Sequence, residues 1–245
     1  MNAYPSLVAV VLLAALTFAV LRGYGTPHPL APSWAILRGG LQLALISLIL
    51  GRLIGSQIWV GLALLVMFGV AASTAARRLG WSWRHLGFVV LAMSTGIAVT
   101  LMIVFVSGAI EPSPRYALAI GGIVIGNAMT TATLTGRRFL EAVDDSWGEV
   151  EAWLALGATP RMATEQFARG AVHAALIPST DQTKTTGLVT LPGAFVGAIF
   201  GGVSPFEAGQ FQIVVLASIM AAGSITSVLL VHLLAPVRER PALDR

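Results

Sequence analysis

LGFVVLAMSTGIAVTLMIVFVSGAI, residues 86–110, runs for 25 residues without one charged side chain. A helix needs about 20 mostly apolar residues to cross the roughly 30 Å of hydrocarbon in a bilayer, so this stretch is long enough to span one. Similar runs recur along the chain. With Leu86 to Ile110 they give seven expected spans: Pro5 to Leu21, Ile36 to Ile54, Ile58 to Ala76, Leu86 to Ile110, Tyr116 to Thr135, Thr186 to Val203, and Gln210 to Leu234. The first has no Lys or Arg before Arg22 and so lacks the basic leader of a secretory signal; it reads as a retained span.

The composition agrees. Of 245 residues, 56% are hydrophobic and 11% charged, and mean hydropathy is +0.82, whereas soluble domains carry about a quarter charged residues. The expected fold is an all-α integral membrane protein, a single transmembrane domain over residues 1–245 placed in the inner (plasma) membrane. There is no cysteine, which excludes disulfides, thiolate metal sites and cysteine nucleophiles. Although the net charge is +4, the basic residues stand singly or in pairs at the ends of apolar runs. That is the pattern of membrane orientation, and no nucleic-acid patch is read.

With the N-terminus outside, Arg22, Arg38, Arg77, Arg78, Arg84, Arg137, Arg138, Arg161, Arg169, Lys184, Arg238, Arg240 and Arg245 fall on the cytoplasmic side, leaving Arg52 and Arg115 outside. Such a bias predicts N-out and C-in. Trp34, Trp59, Trp81 and Trp83 lie near span ends and read as interfacial anchors.

Residues 137–184 then form the one sizeable cytoplasmic segment. It includes GEVEAWLALGATPRMATEQFARG, residues 148–170. Val150, Trp153, Leu154 and Gly157 keep the i, i+3, i+4, i+7 rhythm of an amphipathic helix. Gly157 ends that helix, since glycine accepts the left-handed cap. Thr159 as N-cap and Pro160 as first helical residue start another, with Phe167, Ala171 and Ala175 as its apolar face and Pro178 as its stop. This hairpin reads either as an element lying on lipid headgroups or as a knob docking into a groove on a soluble protein. On the second reading Trp153, Leu154 and Leu156 supply the apolar contact, flanked by Glu149, Glu151 and Arg161.

EAWLALGATPR, residues 151–161, resembles the cytoplasmic coupling elements of ABC-transporter permeases. Further stretches resemble the FetB-like iron-export permeases, to which the plant aluminium-tolerance permeases are similar: ILRGGLQLAL (36–45), GNAMTTATLTGRR (126–138), LALGATPR (154–161), ALIPSTDQTKTTGLVTLPG (175–193) and SPFEAGQFQIVV (204–215). The resemblance implies a permease that forms a homodimer and pairs with two copies of a separate ABC ATPase. It implies export, with iron or another metal as cargo. It also implies coupling through Glu151, Trp153, Leu154, Leu156, Gly157, Ala158, Thr159, Pro160 and Arg161. Independently, the chain has no GxxxxGK[ST] phosphate loop, so it is expected to be no enzyme and to bind no cofactor itself, with ATP and Mg in the partner. One departure weakens the metal reading. Where the family typically has Met-Met-Thr-Gly-Gln after LPG, this chain has Ala194, Phe195, Val196, Gly197 and Ala198, which offer no soft donors.

Polar groups inside spans mark possible pathways. Asn127, Thr131 and Thr135 recur every four residues and share a helix face; they line a hydrophilic path or bond a neighbouring helix. Arg38 and Gln42, one turn apart, read similarly, although Arg38 near a helix end can also snorkel to headgroups. Gly122 and Gly126, and Gly193, Gly197 and Gly201, are small-residue ladders suited to close helix packing at the centre of the subunit or a dimer seam. Lys184 reads as a positive-inside anchor or as the partner of Asp181 or Glu165. The four histidines, at 28, 85, 173 and 232, are scattered, and the methionines read as packing; no metal site is expected. No acidic residue falls deep in an expected span, which ranks an ATP-independent carrier or channel second and an ABC exporter of a nucleotide sugar or amphiphile beside it. A membrane enzyme ranks last, for want of a nucleophile with a neighbouring base.

Overall fold

The computed structural model describes residues 3–53 and 56–241. The expected span end at Ile54 and the charge at Arg245 lie outside the described residues, as does the side chain of Arg52. The described residues are helical apart from turns and one isolated bridge, Thr186 to Thr190. They fall into two units, residues 1–56 and 57–245.

The first unit is a helical hairpin of α1 (Ala3–Tyr24) and α2 (Ala31–Leu53). Gly25, at φ 79°, breaks α1, and Ser33 Oγ donates to Ala14 O at 2.9 Å, tying the two helices together. Both helices are mostly exposed and apolar, as suits surfaces facing lipid or protein within a bilayer.

The second unit holds α3 (Gln57–Arg78), α4 (Trp83–Val106), α5 (Pro114–Asp145), α6 (Trp147–Ala155), α7 (Pro160–Thr185), α8 (Gly193–Phe200) and α9 (Pro205–Leu234). Helices α5 and α9 form its centre: α5 packs on α3, α4, α7 and α9, and α9 on α4, α5, α7 and α8. Ser113, Thr159 and Ser204 cap α5, α7 and α9, each hydroxyl accepting a backbone N–H, and each is followed by proline at the first helical position. Among the described residues, five helices are long and apolar enough to cross a membrane: α1, α3, α4, α5 and α9. The chain is a multi-pass membrane protein.

Within this chain, close helix approach falls mostly at other glycines than the expected ones. A Cβ on Gly193 or Gly197 would meet nothing within 4 Å, nor would one on Gly126, and one on Gly122 meets only Met67 Cε, at 3.1 Å. Tight contacts lie at Gly96, whose added Cβ would sit 2.6 Å from Thr226 Oγ1 and 2.7 Å from the Ala222 carbonyl, at Gly136, against Leu79, and at Gly121, 2.9 Å from Leu64 Cδ2.

Two expectations about the second half of the chain are corrected. Pro178 does not stop α7, which continues to Thr185; a proline in a packed membrane helix bends the backbone, and neighbouring groups can re-satisfy the freed carbonyl. Nor is Thr186–Val203 a span. Gly187, at φ 87°, donates to Thr190 O at 2.8 Å in a tight turn, and α8 has only eight residues, about 12 Å of helix at 1.5 Å per residue. Gly202, at φ 92°, then closes α8, with Val203 N donating to Ala198 O. A Cβ on Gly223 of α9 would meet Thr131 Oγ1 of α5 at 3.3 Å and Leu176 Cδ2 of α7 at 3.5 Å, so α7 runs between the two central helices at mid-length.

Candidate functional site

One end of the second unit collects the chain's basic residues. Phe139, Leu140 and Val143 of α5 are buried there with Leu79, Leu234 and Ala235. Asp144, also buried, accepts from Arg240 Nε at 2.6 Å. Thr164 Oγ1 of α7 donates to Ala235 O at 2.9 Å. An open cavity of about 630 Å³ is lined by Leu79, Arg84 and His85 from the α3–α4 turn and by Arg238 and Glu239 from the tail. The α3–α4 turn, the end of α5, the start of α7 and the C-terminal tail therefore share one face, and Arg77, Arg78, Arg84, Arg137, Arg138, Arg161, Arg169, Arg238 and Arg240 belong to these segments. Arg77 stacks over Trp81 at 5.8 Å.

The tail contact rests on one ion pair whose cation is mostly exposed. Arg240→Ala is expected to loosen the tail without unfolding the bundle, because Val237 still packs on the core. The check is limited trypsin digestion, which should cut after Arg238 faster in the variant.

At this end α5 runs past its expected limit at Thr135 to Asp145. Its 32 residues make about 48 Å of helix, well beyond the roughly 30 Å hydrocarbon. Ser146 breaks it, and the short α6 follows. Val150 is fully buried and Leu154 packs on the core, which anchors α6 by its inner face. The outer face carries Trp153, 48% exposed, and Leu156, 82% exposed, with Glu151 also exposed.

The turn is built as its sequence requires. Gly157, at φ 89°, donates to Leu154 O at 3.0 Å, and Ala158 N donates to Trp153 O at 3.0 Å. These two bonds and the left-handed glycine form a Schellman cap. Thr159 Oγ1 then accepts from Met162 N, and Pro160 opens α7. Gln166 Nε2 of α7 donates to Glu149 Oε1 of α6, and Arg169 pairs with Glu165. Arg161 is exposed, and a shallow cavity of about 470 Å³ is bounded by Trp153, Met162, Ala163, Glu165, Gln166 and Arg169. The nine residues from Glu151 to Arg161 named from sequence thus form one compact, rigidly capped knob. A side chain at Gly157 would have to hold φ near 89°, so Gly157→Ala is expected to cost about 1–2 kcal/mol. Thermal unfolding in detergent should show the loss, with membrane insertion unchanged.

The other candidates lie elsewhere. Thr131 and Thr135 are buried in the helix packing, Thr135 Oγ1 without a hydrogen-bond partner, and Asn127 Nδ2 donates to Ile123 O of its own helix at 2.9 Å. Their helix face meets protein rather than an open path within this chain. Arg38 and Gln42 are exposed on α2 in the first unit. Lys184 pairs with Asp181 at 3.6 Å, not with Glu165. It stands at the far end of α7 from Thr164, about 30 Å along the helix, and so is no anchor at the basic end. His173 and His232, remote in sequence, line one groove of about 670 Å³ between α7 and α9. Among the described residues no three His, Cys, Asp or Glu gather as a metal site.

The model of an uncharacterised protein family, UPF0014, matches residues 4–237. The chain belongs to the UPF0014 family. It is 38% identical over 205 residues to the UPF0014 membrane protein STAR2 of Oryza sativa subsp. japonica, covering 83% of this chain and 72% of that protein. It is 36% identical to Protein ALUMINUM SENSITIVE 3 of Arabidopsis thaliana, covering 83% and 75%. Identity is 32% to the probable iron export permease protein FetB of Escherichia coli (strain K12), covering 82% and 78%. No solved structure matches the chain.

Asp144 and Gly96 escaped the sequence reading, yet each left a signal in this UPF0014 chain. Asp144 follows Leu140 by one turn and so continues an inward rhythm. Gly96 sits mid-way in the most apolar run, where a glycine weakens a helix unless a neighbour needs the space.

Proposed function

We propose that this UPF0014 chain is the membrane-spanning permease subunit of an ABC exporter, powered by a separate ATPase that seats on α6 and the turn to α7. The observation that carries the reading is the capped knob: Trp153 and Leu156 are exposed on a helix whose opposite face, through Val150 and Leu154, is locked into the core. An apolar knob on a rigid lever suits transmission of force, because a push on its outer face reaches α5 and α7 directly. ATP and Mg would be held by the partner, and two permeases would pair with two ATPases. Iron or another metal ion as cargo is supported by the FetB-like motifs and by the similarity to the probable iron export permease of Escherichia coli.

The test uses the absence of native cysteine. Leu156→Cys in native membranes, treated with a short cysteine-directed photo-crosslinker, should capture a protein carrying a GxxxxGK[ST] loop. Arg115→Cys, at the start of α5 away from the knob, should not. Capture at both positions or at neither would reject the docking assignment.

A second reading, an ATP-independent carrier, gains one observation in its favour: Asp181 stands on α7 beyond the level where that helix meets Gly223. Ion-gradient-driven transport by the purified chain alone in liposomes would favour it.

A further inference from the structure

We propose that the cavity between the α3–α4 turn and the C-terminal tail binds the headgroup of a zwitterionic phospholipid carrying a primary ammonium, with Arg84 and Arg238 holding its phosphate and Glu239 its ammonium. Such a site stands whatever the cargo and whether or not an ATPase seats on α6.

The cavity lies where apolar helices end. Its lining includes Phe88, near the start of α4, and Leu233, in the last turn of α9, and both helices are long and apolar enough to cross a membrane. Trp81 and Trp83, 48% and 79% exposed, belong to the same turn and meet edge to face at 5.9 Å. Exposed tryptophans at a span end mark the headgroup level, where an apolar ring and a polar N–H are both accommodated. The volume, about 630 Å³, falls within the roughly 300–1,000 Å³ of small-molecule sites.

The lining combines both charges with apolar surface. Leu79, Phe88, Leu140, Leu233 and Val237 offer contact to the first methylenes of an acyl chain. Arg84 Cζ stands 5.3 Å over the Phe88 ring, which sets its guanidinium at the lining. Arg137, Arg169 and Arg240 at this end each pair with a carboxylate, whereas among the described residues Arg84 and Arg238 have none within ion-pair distance. Guanidinium forks suit phosphate oxygens, and basic pockets between spans at a membrane face hold lipid headgroups. Glu239 decides the kind of headgroup. It lines the same cavity, and among the described residues no cation pairs with it, so a purely anionic ligand would meet repulsion there. A ligand whose ammonium stands a few bonds from its phosphate suits all three charges. His85 adds an acceptor: its Nδ1–H donates to the Gly80 carbonyl at 2.8 Å, which leaves Nε2 of the neutral ring to accept. A primary ammonium brings N–H donors to Glu239 and His85, and a quaternary one brings none. The bound headgroup would tie the tail to the start of α4.

The full chain, stripped of lipid in detergent, is titrated with dihexanoyl phosphatidylethanolamine, phosphatidylcholine and phosphatidylglycerol, and with inorganic phosphate. Thermal unfolding and the rate of tryptic cleavage after Arg238 are both read, since a headgroup held by Arg238 shields that bond. Phosphatidylethanolamine is expected to raise the unfolding temperature saturably and to slow the cleavage, as a ligand of the folded state must. The other two lipids should bind about tenfold more weakly and phosphate should have no effect, a tenfold step being the worth of one charge-assisted hydrogen bond. Arg84→Gln should weaken phosphatidylethanolamine by about the same factor. Glu239→Gln should erase its advantage over phosphatidylcholine, which loss of a merely structural contact would not do. Both side chains are exposed, so the fold survives either change. No saturable response to any lipid would overturn the site. An equal response to all three lipids, or a stronger one to phosphatidylglycerol, would overturn the role of Glu239 and with it the zwitterionic ligand. An equal response to inorganic phosphate would overturn the lipid in favour of the free anion.

Discussion

Gly96→Leu is expected to destabilise the protein by about 3 kcal/mol or more, at the upper end of what overpacking costs. The Ala222 carbonyl stands 2.7 Å from where the new Cβ must go, and a backbone group cannot rotate aside as a side-chain tip can. Thr226 Oγ1, at 2.6 Å, closes the other escape. Helices α4 and α9 would have to separate, and α9 is the element on which α4, α5, α7 and α8 all pack. Gly126→Leu is the matched control, since an added Cβ there meets nothing within 4 Å in this chain. Thermal unfolding in detergent should show a large drop for Gly96→Leu and little change for Gly126→Leu. If Gly126→Leu lost stability only where the chain self-associates, Gly126 would lie at a seam between copies.

The contrast between these two glycines shows what sequence can and cannot reveal. Small residues at helical spacing signal that close approach is chemically allowed, but whether a partner helix occupies the space depends on tertiary placement, and Gly193 and Gly197 face no such partner in this chain. The spans were legible wherever apolar runs were uninterrupted, as at residues 86–110. They were misread where hydropathy carried across turn residues: Gly187, Pro192 and Gly202 divide Thr186–Val203 into a turn and a helix too short to cross. Conversely, the end of α7 was misplaced at Pro178, because a proline inside a packed helix need not stop it, and α7 runs on to Thr185. The knob was legible in detail because its punctuation is local. Gly157, Thr159 and Pro160 act through bonds to residues within five positions. Asp144 with Arg240 was not, because the pair spans 96 positions.

Trp153→Asp combined with Leu156→Asp is expected to abolish coupling while leaving the fold intact. Both side chains are exposed, and the inner face that holds α6 is Val150 and Leu154, which the variant keeps. Few interface side chains dominate binding, and buried tryptophan is foremost among them; two carboxylates forced into an apolar groove would each carry a desolvation penalty with no partner. Loss of about 4 kcal/mol would weaken association roughly a thousandfold, beyond what an assembled complex tolerates.

Metal-stimulated ATP hydrolysis by the permease with its co-purified ATPase is the direct measurement, made with the unaltered chain and with the Trp153→Asp, Leu156→Asp variant at equal insertion. The expected result is stimulation with the unaltered chain and, in the variant, no ATPase retained and no metal-stimulated hydrolysis. An unchanged ATPase content and unchanged stimulation in the variant would contradict the coupling role of α6.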